Sequence, residues 1–444
     1  MAKPKLCLIP AAQGGKLYSV LPSSGVGDFQ FSRSGSATRI NSQGLIETVS
    51  SGVSRLNYPM IDGVVKGCPS HILEPQRLQK IQYSEDFSNA AWSKFNITVE
   101  ANSTISPDGT LNATKVLEQV DSANGHFMFD NLGLTPSVEY NFSIFVKKLN
   151  RRYVALQNSY NTANGSIAFF DLDTETLVYT YSAGTVGTFV VSDAKIEKYP
   201  NGWYRLSANF QSSASTGVLP SLVLADSQWS TGFSYNNLYT GDVTKGIYIW
   251  GAQLEQGSYP TSYIPNYGTA AGVTRSAETA NGAGDAATFN SEQGVLMAEI
   301  SALADIGSNQ SIAISDGSIN NRILFRYNST NQIRVIVISN TSFVFDKTLN
   351  ISSINEYNKF VIKYKQDDFA LWVNGFELGA DNSGVTPTGL NELALDDGSG
   401  VNDFYGNTKQ IQYFDTALTD SELEKLTSWV SFQDMAEGQL YTIE

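Results

Sequence analysis

Two histidines, two cysteines and three close pairs of aspartates are the residues of this chain whose types and spacing could do chemistry. His71 lies between Ser70 and Ile72, and His126 follows Asn124-Gly125 in a turn-like setting. A hydrolase nucleophile needs a base within hydrogen-bonding reach, often on a G-x-S-x-G elbow. No such elbow occurs, and neither histidine has a Ser or Cys nucleophile in a recognisable motif, so both are expected to be structural or simply exposed. Cys7 and Cys68 are too few for a disulfide framework and have no histidine at metal spacing. They read as reduced thiols. The aspartate pairs are Asp171/Asp173, Asp367/Asp368 and Asp396/Asp397. Glycoside hydrolysis needs two carboxyl groups at a set separation across the scissile bond. Asp367/Asp368 fall at a predicted hairpin tip, where acids favour turns in any case, and Asp171 and Asp173 flank Leu172 in a predicted strand. The expectation is that none of the three pairs is catalytic and that the protein is not an enzyme.

Two kinds of binding chemistry remain. Calcium takes six to eight oxygens, often from Asp and loop carbonyls. Asp305, Asp316, Asp396, Asp397 and Asp403 lie in loop-like stretches, but without EF-hand spacing. They read as solvated turn residues, a Ca²⁺ site being the weaker alternative, and no cofactor is expected. Sugars are gripped by exposed aromatic rings with amides nearby. Trp229, in ADSQWSTGFSYNN, is surrounded by polar, turn-forming residues, unlike a core tryptophan; Tyr160 in NSYNTANG and Tyr235 have similar surroundings. These three are the candidate carbohydrate contacts, with local packing or an inter-subunit contact as the alternative for Trp229. Trp203, Trp250 and Trp372 sit inside alternating strands and belong to the core or its margin.

The elements that would hold such residues are strands. At 444 residues the chain is too long for one core. Charged residues make up only 16%, whereas 37 Gly, 22 Tyr and 23 Phe suit turns and strands. The formal net charge of −14 argues against nucleic acid or an anionic membrane as partner, and no apolar run approaches the roughly 20 residues of a membrane helix. VEYNFSIFVKK (138–148) alternates, with Tyr140, Phe142, Ile144 and Val146 on one face, and RRYVALQNSY (151–160) follows the same period. Strands at roughly 8–12-residue spacing are the signature of a sandwich. After GIYIWGAQLE the chain becomes GSYPTSYIPN. Pro260 and Pro265 lack the N–H that a central strand needs, so this stretch is expected to run over the surface as a strap leaving the domain. RILFRYNSTNQIRVIVIS (322–339) reads as a hairpin, Asn374-Gly375 as a type I′ turn, and TDSELEKLTSWV as the one clear helix. Thr419 and Glu422 form its capping box and Leu423, Leu426 and Val430 its apolar stripe.

YIWGAQLEQGSYPTSYIP, LPSSGVGDFQFSRSGSATRINSQGLIETV (21–49), YSEDFSNAAWSK (83–94) and GWYRLSANF (202–210) occur here in one order. In that order they resemble bacteriophage virion proteins that carry a carbohydrate-binding-module-like jelly roll. LWVNGFEL and FDTALTDSELEKLTS resemble a concanavalin A or laminin-G-like jelly roll. The resemblance implies a structural protein of a phage particle, on head or tail: a fibre, receptor-binding or decoration protein that attaches to host-surface glycans, forms a homo-oligomer such as a trimer, and binds other virion proteins. A dedicated receptor-binding lectin is the alternative; a glycan depolymerase is a weaker one, since no repeat of 20–50 residues is visible.

The expected fold is therefore all-β, with two jelly-roll sandwiches in tandem. Residues 1–30 show no period. They carry Lys3, Lys5 and Lys16 with no acid before Asp28, and are expected to be an irregular anchor to the virion, beginning at a mature N-terminus. Residues 31–85 form an irregular β-rich connection and 86–265 the carbohydrate-binding-module-like jelly roll. The Gly/Ala/Thr-rich 266–284 is a linker, and 285–444 is the second jelly roll with its C-terminal helix. The VTR of 273–275 echoes the ATR of 37–39, as if both flanked one domain.

Overall fold

The computed structural model describes residues 3–13, 16–120, 124–130, 132, 134–161, 164–183, 189–212, 219–227 and 238–431. It is all-β, as expected, and its strands form two sandwiches. The first has two six-stranded antiparallel sheets. One runs Trp92–Phe95, His126–Asp130, Leu219–Ala225, Tyr153–Asn161, Asn164–Asp171, Thr176–Ala183. The other runs Ile97–Thr104, Ala113–Glu118, Gly246–Gln256, Glu139–Lys148, Trp203–Ser212, Phe189–Tyr199. The alternation in 138–148 is realised: Tyr140, Phe142, Ile144 and Val146 enter the core between the sheets, with Val154 and Leu156 opposite.

The second sandwich faces a five-stranded sheet against an eleven-stranded one. The hairpin Arg322–Ser329/Gln332–Ser339 forms with Tyr327 opposite Ile333, and it places Ile323, Phe325, Ile333, Val335 and Val337 in the core. Asn374 and Gly375 both take positive φ, 49° and 91°, as the type I′ turn demands. The helix Asp420–Thr427 covers the outer face of the large sheet through Leu423 and Leu426. Glu422 accepts the Thr419 backbone N–H at 3.1 Å. Val430 lies beyond the helix and is 91% exposed, so it is no part of the apolar stripe.

Two expectations about connectivity are corrected. The described part of residues 1–30 is not irregular. Leu6–Gln13 is an interior strand of the eleven-stranded sheet, paired with Lys16–Leu21 on one side and with Gly406–Phe414 on the other. Leu6, Leu8 and Leu17 are fully buried beside Phe29, Leu296, Ile411 and Tyr413. Leu6 and Leu8 thus pack through a strand from the far end of the described chain, Gly406–Phe414. Nor is 266–284 a free linker: Val273–Arg275 pairs with Arg77–Gln79, Thr279–Asn281 pairs with Phe29–Ser32, and Ala280 and Ala283 are fully buried. Small side chains there serve close packing. The first sandwich is thus inserted into the second, and its ingoing and outgoing strands pair with each other.

Candidate functional site

The segment that leaves the inserted sandwich does not run over the surface. Tyr259, Thr261, Tyr263 and Ile264 are all buried. An extended segment between two prolines can form no ladder, so its N–H groups need other acceptors. Side chains provide them. Thr261 N donates to Glu255 Oε1 (3.1 Å), Ser262 N to Glu74 Oε1 (2.7 Å), Ile264 N to Gln253 Oε1 (2.6 Å) and Asn266 N to Ser84 Oγ (2.8 Å). The Tyr263 ring lies against Trp250 at 4.6 Å. With Phe145, Trp203 and Ile46 these rings form a small apolar core between the outer face of the inserted sandwich and the N-terminal hairpin Ala37–Ile40/Ile46–Val49.

Beside that core lies a buried ionic network. Glu278 accepts Arg33 Nη1 at 2.7 Å and Arg55 Nε at 2.9 Å, with Arg55 Nη2 closer still. Arg55 Nη2 also reaches Glu74 at 2.8 Å, and Arg275 Nη1 reaches Glu74 at 2.7 Å. Further donors go to the carbonyls of Thr38, Ser50 and Pro75 and to the Thr261 and Ser262 hydroxyls, while Arg275 Nε is buried without a partner. Burial alone would raise the Glu74 carboxyl, but Arg275 and Arg55 outweigh it and hold it at about 2. Sequence reading missed this network. Each arginine stands alone among small polar residues, as in SRS, SRL and TRS, and nothing at helical or strand spacing marks its partner. The two tripeptides of the ATR/VTR echo lie on either side of the inserted sandwich; of their arginines Arg275 is in the network, whereas Arg39 makes a surface pair with Glu47 at 3.1 Å.

An open cleft borders the network where the two sandwiches meet. Its inner part, about 220 Å³, is walled by Tyr199, Tyr259, Tyr263 and Phe145, and by the polar Thr38, Asn57, Glu74, Glu197, Arg205, Thr261, Ser262 and Asn407. Ile40, Asn57, Glu197 and Tyr199 also wall an adjoining, wider part of about 540 Å³ that reaches Tyr58, Met60, Asp62 and Lys198. Tyr199 stands edge-on to Phe145 at 4.9 Å, and the Arg77 guanidinium lies over the Tyr259 ring at 5.1 Å. Burial pushes the Tyr259 phenol up to about 12, so it is a neutral hydrogen-bonding group at ordinary pH. Aromatic faces, amides, hydroxyls and charged groups converging on one concavity are the chemistry of a polar small-ligand site.

Of the sequence-predicted sugar contacts, Trp229 and Tyr235 lie outside the described residues. Tyr160 lies in the strand Tyr153–Asn161, whose register sets Tyr153 opposite Ala225 and Ser159 opposite Leu219. Tyr160 is therefore about 20 Å along the sheet from Ala225. The carboxylate pairs are committed to other work. Arg152 grips Asp171 with two bonds, of 2.9 and 2.6 Å, which holds that carboxyl at about 2, and Lys148 takes Asp173. Asp367 accepts Gly384 N at 3.0 Å, and Asp368 pairs with Lys363 at 2.6 Å. Asp397 pairs with Arg322 and Arg326, at 3.2 and 3.5 Å. Asp305, Asp316, Asp396 and Asp403 accept from Asn331 N, Ser318 N, Gly398 N and the Tyr405 hydroxyl respectively. Among the described residues no group of three or more His, Cys, Asp or Glu is arranged to hold a metal ion. Both histidines are fully buried, not turn residues. His126 lies 4.3 Å from the Tyr239 ring, and His71 packs edge-on to Phe31 at 5.9 Å.

No protein-family model and no curated protein sequence matches the chain. Among solved structures it is similar to the CBM40 of the Ruminococcus gnavus IT-sialidase bound to α2,3 sialyllactose, at 15% identity and a TM-score of 0.27 over 31% of this chain and 84% of that one. The K499G mutant of NanB sialidase from Streptococcus pneumoniae gives 16% and 0.28, over 32% and 25%. Domain 4 of AbnA, a GH43 extracellular arabinanase from Geobacillus stearothermophilus in complex with arabinotriose, gives 14% and 0.28, over 34% and 73%. At these values the likeness carries no argument about function or ligand.

Proposed function

We propose that this chain is a non-enzymatic, glycan-binding component of a bacteriophage particle. The observation that carries the binding half is the cleft between the sandwiches, where Tyr199 and Tyr259 offer ring faces and edges beside the amides of Asn57 and Asn407. Sugar rings have an apolar face that packs on aromatic side chains and a rim of hydroxyls that suits amides and charged groups. The virion half rests on the ordered motifs in the sequence. Copies assembled as a homo-oligomer, such as a trimer, would gain affinity by presenting the cleft several times. Trp229, Tyr235 and Tyr160 stand as further proposed contacts, and the reading calls for no cofactor. That it does no chemistry is supported by the engagement of the three aspartate pairs in ion pairs and turns.

The test is calorimetric titration of the full chain with fragments of host-surface polysaccharide. Tyr199→Ala should weaken binding about two- to twelvefold, in line with the ~0.5–1.5 kcal/mol that aromatic contacts contribute beyond their area, and no new reducing ends should appear. Loss of binding in Trp229→Ala with Tyr199→Ala unaffected would move the site to the other proposed contacts. Release of oligosaccharides would overturn the non-enzymatic reading.

A further inference from the structure

Five arginines are buried in this molecule: Arg33, Arg55, Arg205, Arg275 and Arg322. Four of them pair with a carboxylate, Glu278, Glu74 or Asp397. Arg205 does not. It lies on the strand Trp203–Ser212, directly opposite Phe145 in the register, with its guanidinium 5.5 Å from the centre of that ring. Its Nη2 donates to Ser143 Oγ at 3.1 Å and the Tyr199 hydroxyl is its other polar neighbour, but its Nε is buried with no partner and no described carboxylate forms an ion pair with it. Only 5% of the residue is exposed, and it forms part of the wall of the inner cleft.

A buried guanidinium without an anion is costly, because burial removes water and neutral hydroxyls and a ring face replace only part of it. The other charged groups at the cleft do not meet the need. The Glu74 carboxylate is saturated by Arg55, Arg275 and Ser262. Glu197 stands opposite Arg205 on the neighbouring strand, but it is exposed at the mouth and forms no ion pair with it. Arg39 is taken by Glu47, and Lys198 by Glu175 and Asp62. The polar row on the same sheet face continues past Arg205 with two more unpartnered buried atoms, Ser207 Oγ and Asn141 Oδ1.

We infer that the inner cleft takes a sugar that bears a carboxylate, and that Arg205 holds the carboxylate. The inference rests on the glycan reading above and narrows it from saccharides in general to acidic ones. A carboxylate at the guanidinium would satisfy the open Nε–H and supply the missing charge, a geometry that arginine favours. The sugar ring would then lie by Tyr199 and Tyr259, with further units in the wider part of the cleft. The two parts together fall within the roughly 300–1,000 Å³ of small-ligand sites.

Two sources share this chemistry, hexuronates and nonulosonates. The experiment titrates the full chain with a glucuronate-bearing disaccharide, with N-acetylneuraminyl-lactose, with the methyl ester of each, and with lactose. At least one acid should bind about tenfold or more tightly than its own ester, as a hydrogen bond to a charged group implies. Arg205→Gln should bring that acid down to the affinity of its ester and leave the ester unchanged, which also shows that the variant is folded. Arg205→Lys should recover part of the loss. Equal binding of acid and ester, or binding of lactose alone, would overturn the carboxylate inference and leave the glycan reading standing. If none of the probes and no host polysaccharide binds, both readings fall. The acid–ester comparison uses the unmodified protein, so it decides the matter even if the variants misfold.

Discussion

The two sandwiches are closed in different ways. In the inserted one, every described strand from Trp92 to Gln256 pairs within the same stretch of chain. The other is closed by strands from both ends of the molecule, with Leu6 opposite Tyr413 and Ile72 opposite Asn407. The difference teaches where each derives its stability. The inserted sandwich closes its ladders within its own stretch of chain, the longest of them joining Ala113–Glu118 to Gly246–Gln256. Its host depends on contacts whose loop-closure cost spans nearly the whole chain and is recovered only when the last strand arrives. The junction between them is held by charge as well as by apolar packing.

The largest expected effect comes from removing residues 3–21. This deletes two interior strands and the buried Leu6, Leu8 and Leu17, each contributing about 1.5–3 kcal/mol by burial alone. The host sandwich should unfold while the inserted one persists, so calorimetry should show one transition fewer. A truncated protein whose Gly406–Phe414 amides stay protected in hydrogen exchange would contradict this account.

A smaller effect is expected at the junction. Glu278→Gln leaves Arg33 and Arg55 buried with less counter-charge and should destabilise by about 3–5 kcal/mol, read from chemical denaturation. Acid should act on the same network. The Glu74 carboxyl is held at about 2 in the folded chain against an ordinary 4.5. Its stabilisation is therefore complete above pH 4.5 and is lost as pH falls towards 2. An unfolding midpoint flat between pH 5 and 2 would argue against a charged junction.

The smallest concerns His71. Burial, with Arg55 and Arg33 nearby, lowers its folded value to about 3 from an ordinary 6.5, and neither ring nitrogen has a hydrogen-bond partner. The unfolded chain takes up a proton there that the folded chain refuses. This contribution is whole above pH 6.5 and declines as pH falls towards 3, at up to about 1.4 kcal/mol per pH unit. His71→Leu should remove that slope between pH 6.5 and 4.5 with little change at pH 8. An unaltered slope would place the protonation elsewhere.

What could be read from the sequence follows the same division. The faces of 138–148 and 322–339 were legible because a two-residue period and a nearby turn fix each strand locally. Leu6 and Leu8 stand in a stretch without a period, and nothing near them names a strand some 400 residues away. The cleft was illegible for a related reason. Asn57, Tyr199, Arg205 and Tyr259 come from three separated segments, and each has an ordinary local setting. Ala280 and Ala283 misled because small residues look the same in a flexible tract and in a tight core.

The pairing of Arg77–Gln79 with Val273–Arg275 has a consequence for modular exchange. It brings the two ends of the inserted sandwich to about 5 Å apart, the spacing of an antiparallel pair. Any domain whose termini lie side by side could be spliced onto that two-stranded stalk without disturbing the host sheet. A chain built on this host could exchange the whole inserted sandwich in a single recombination, keep the host sheets intact, and change only the wall that the insert contributes to the cleft.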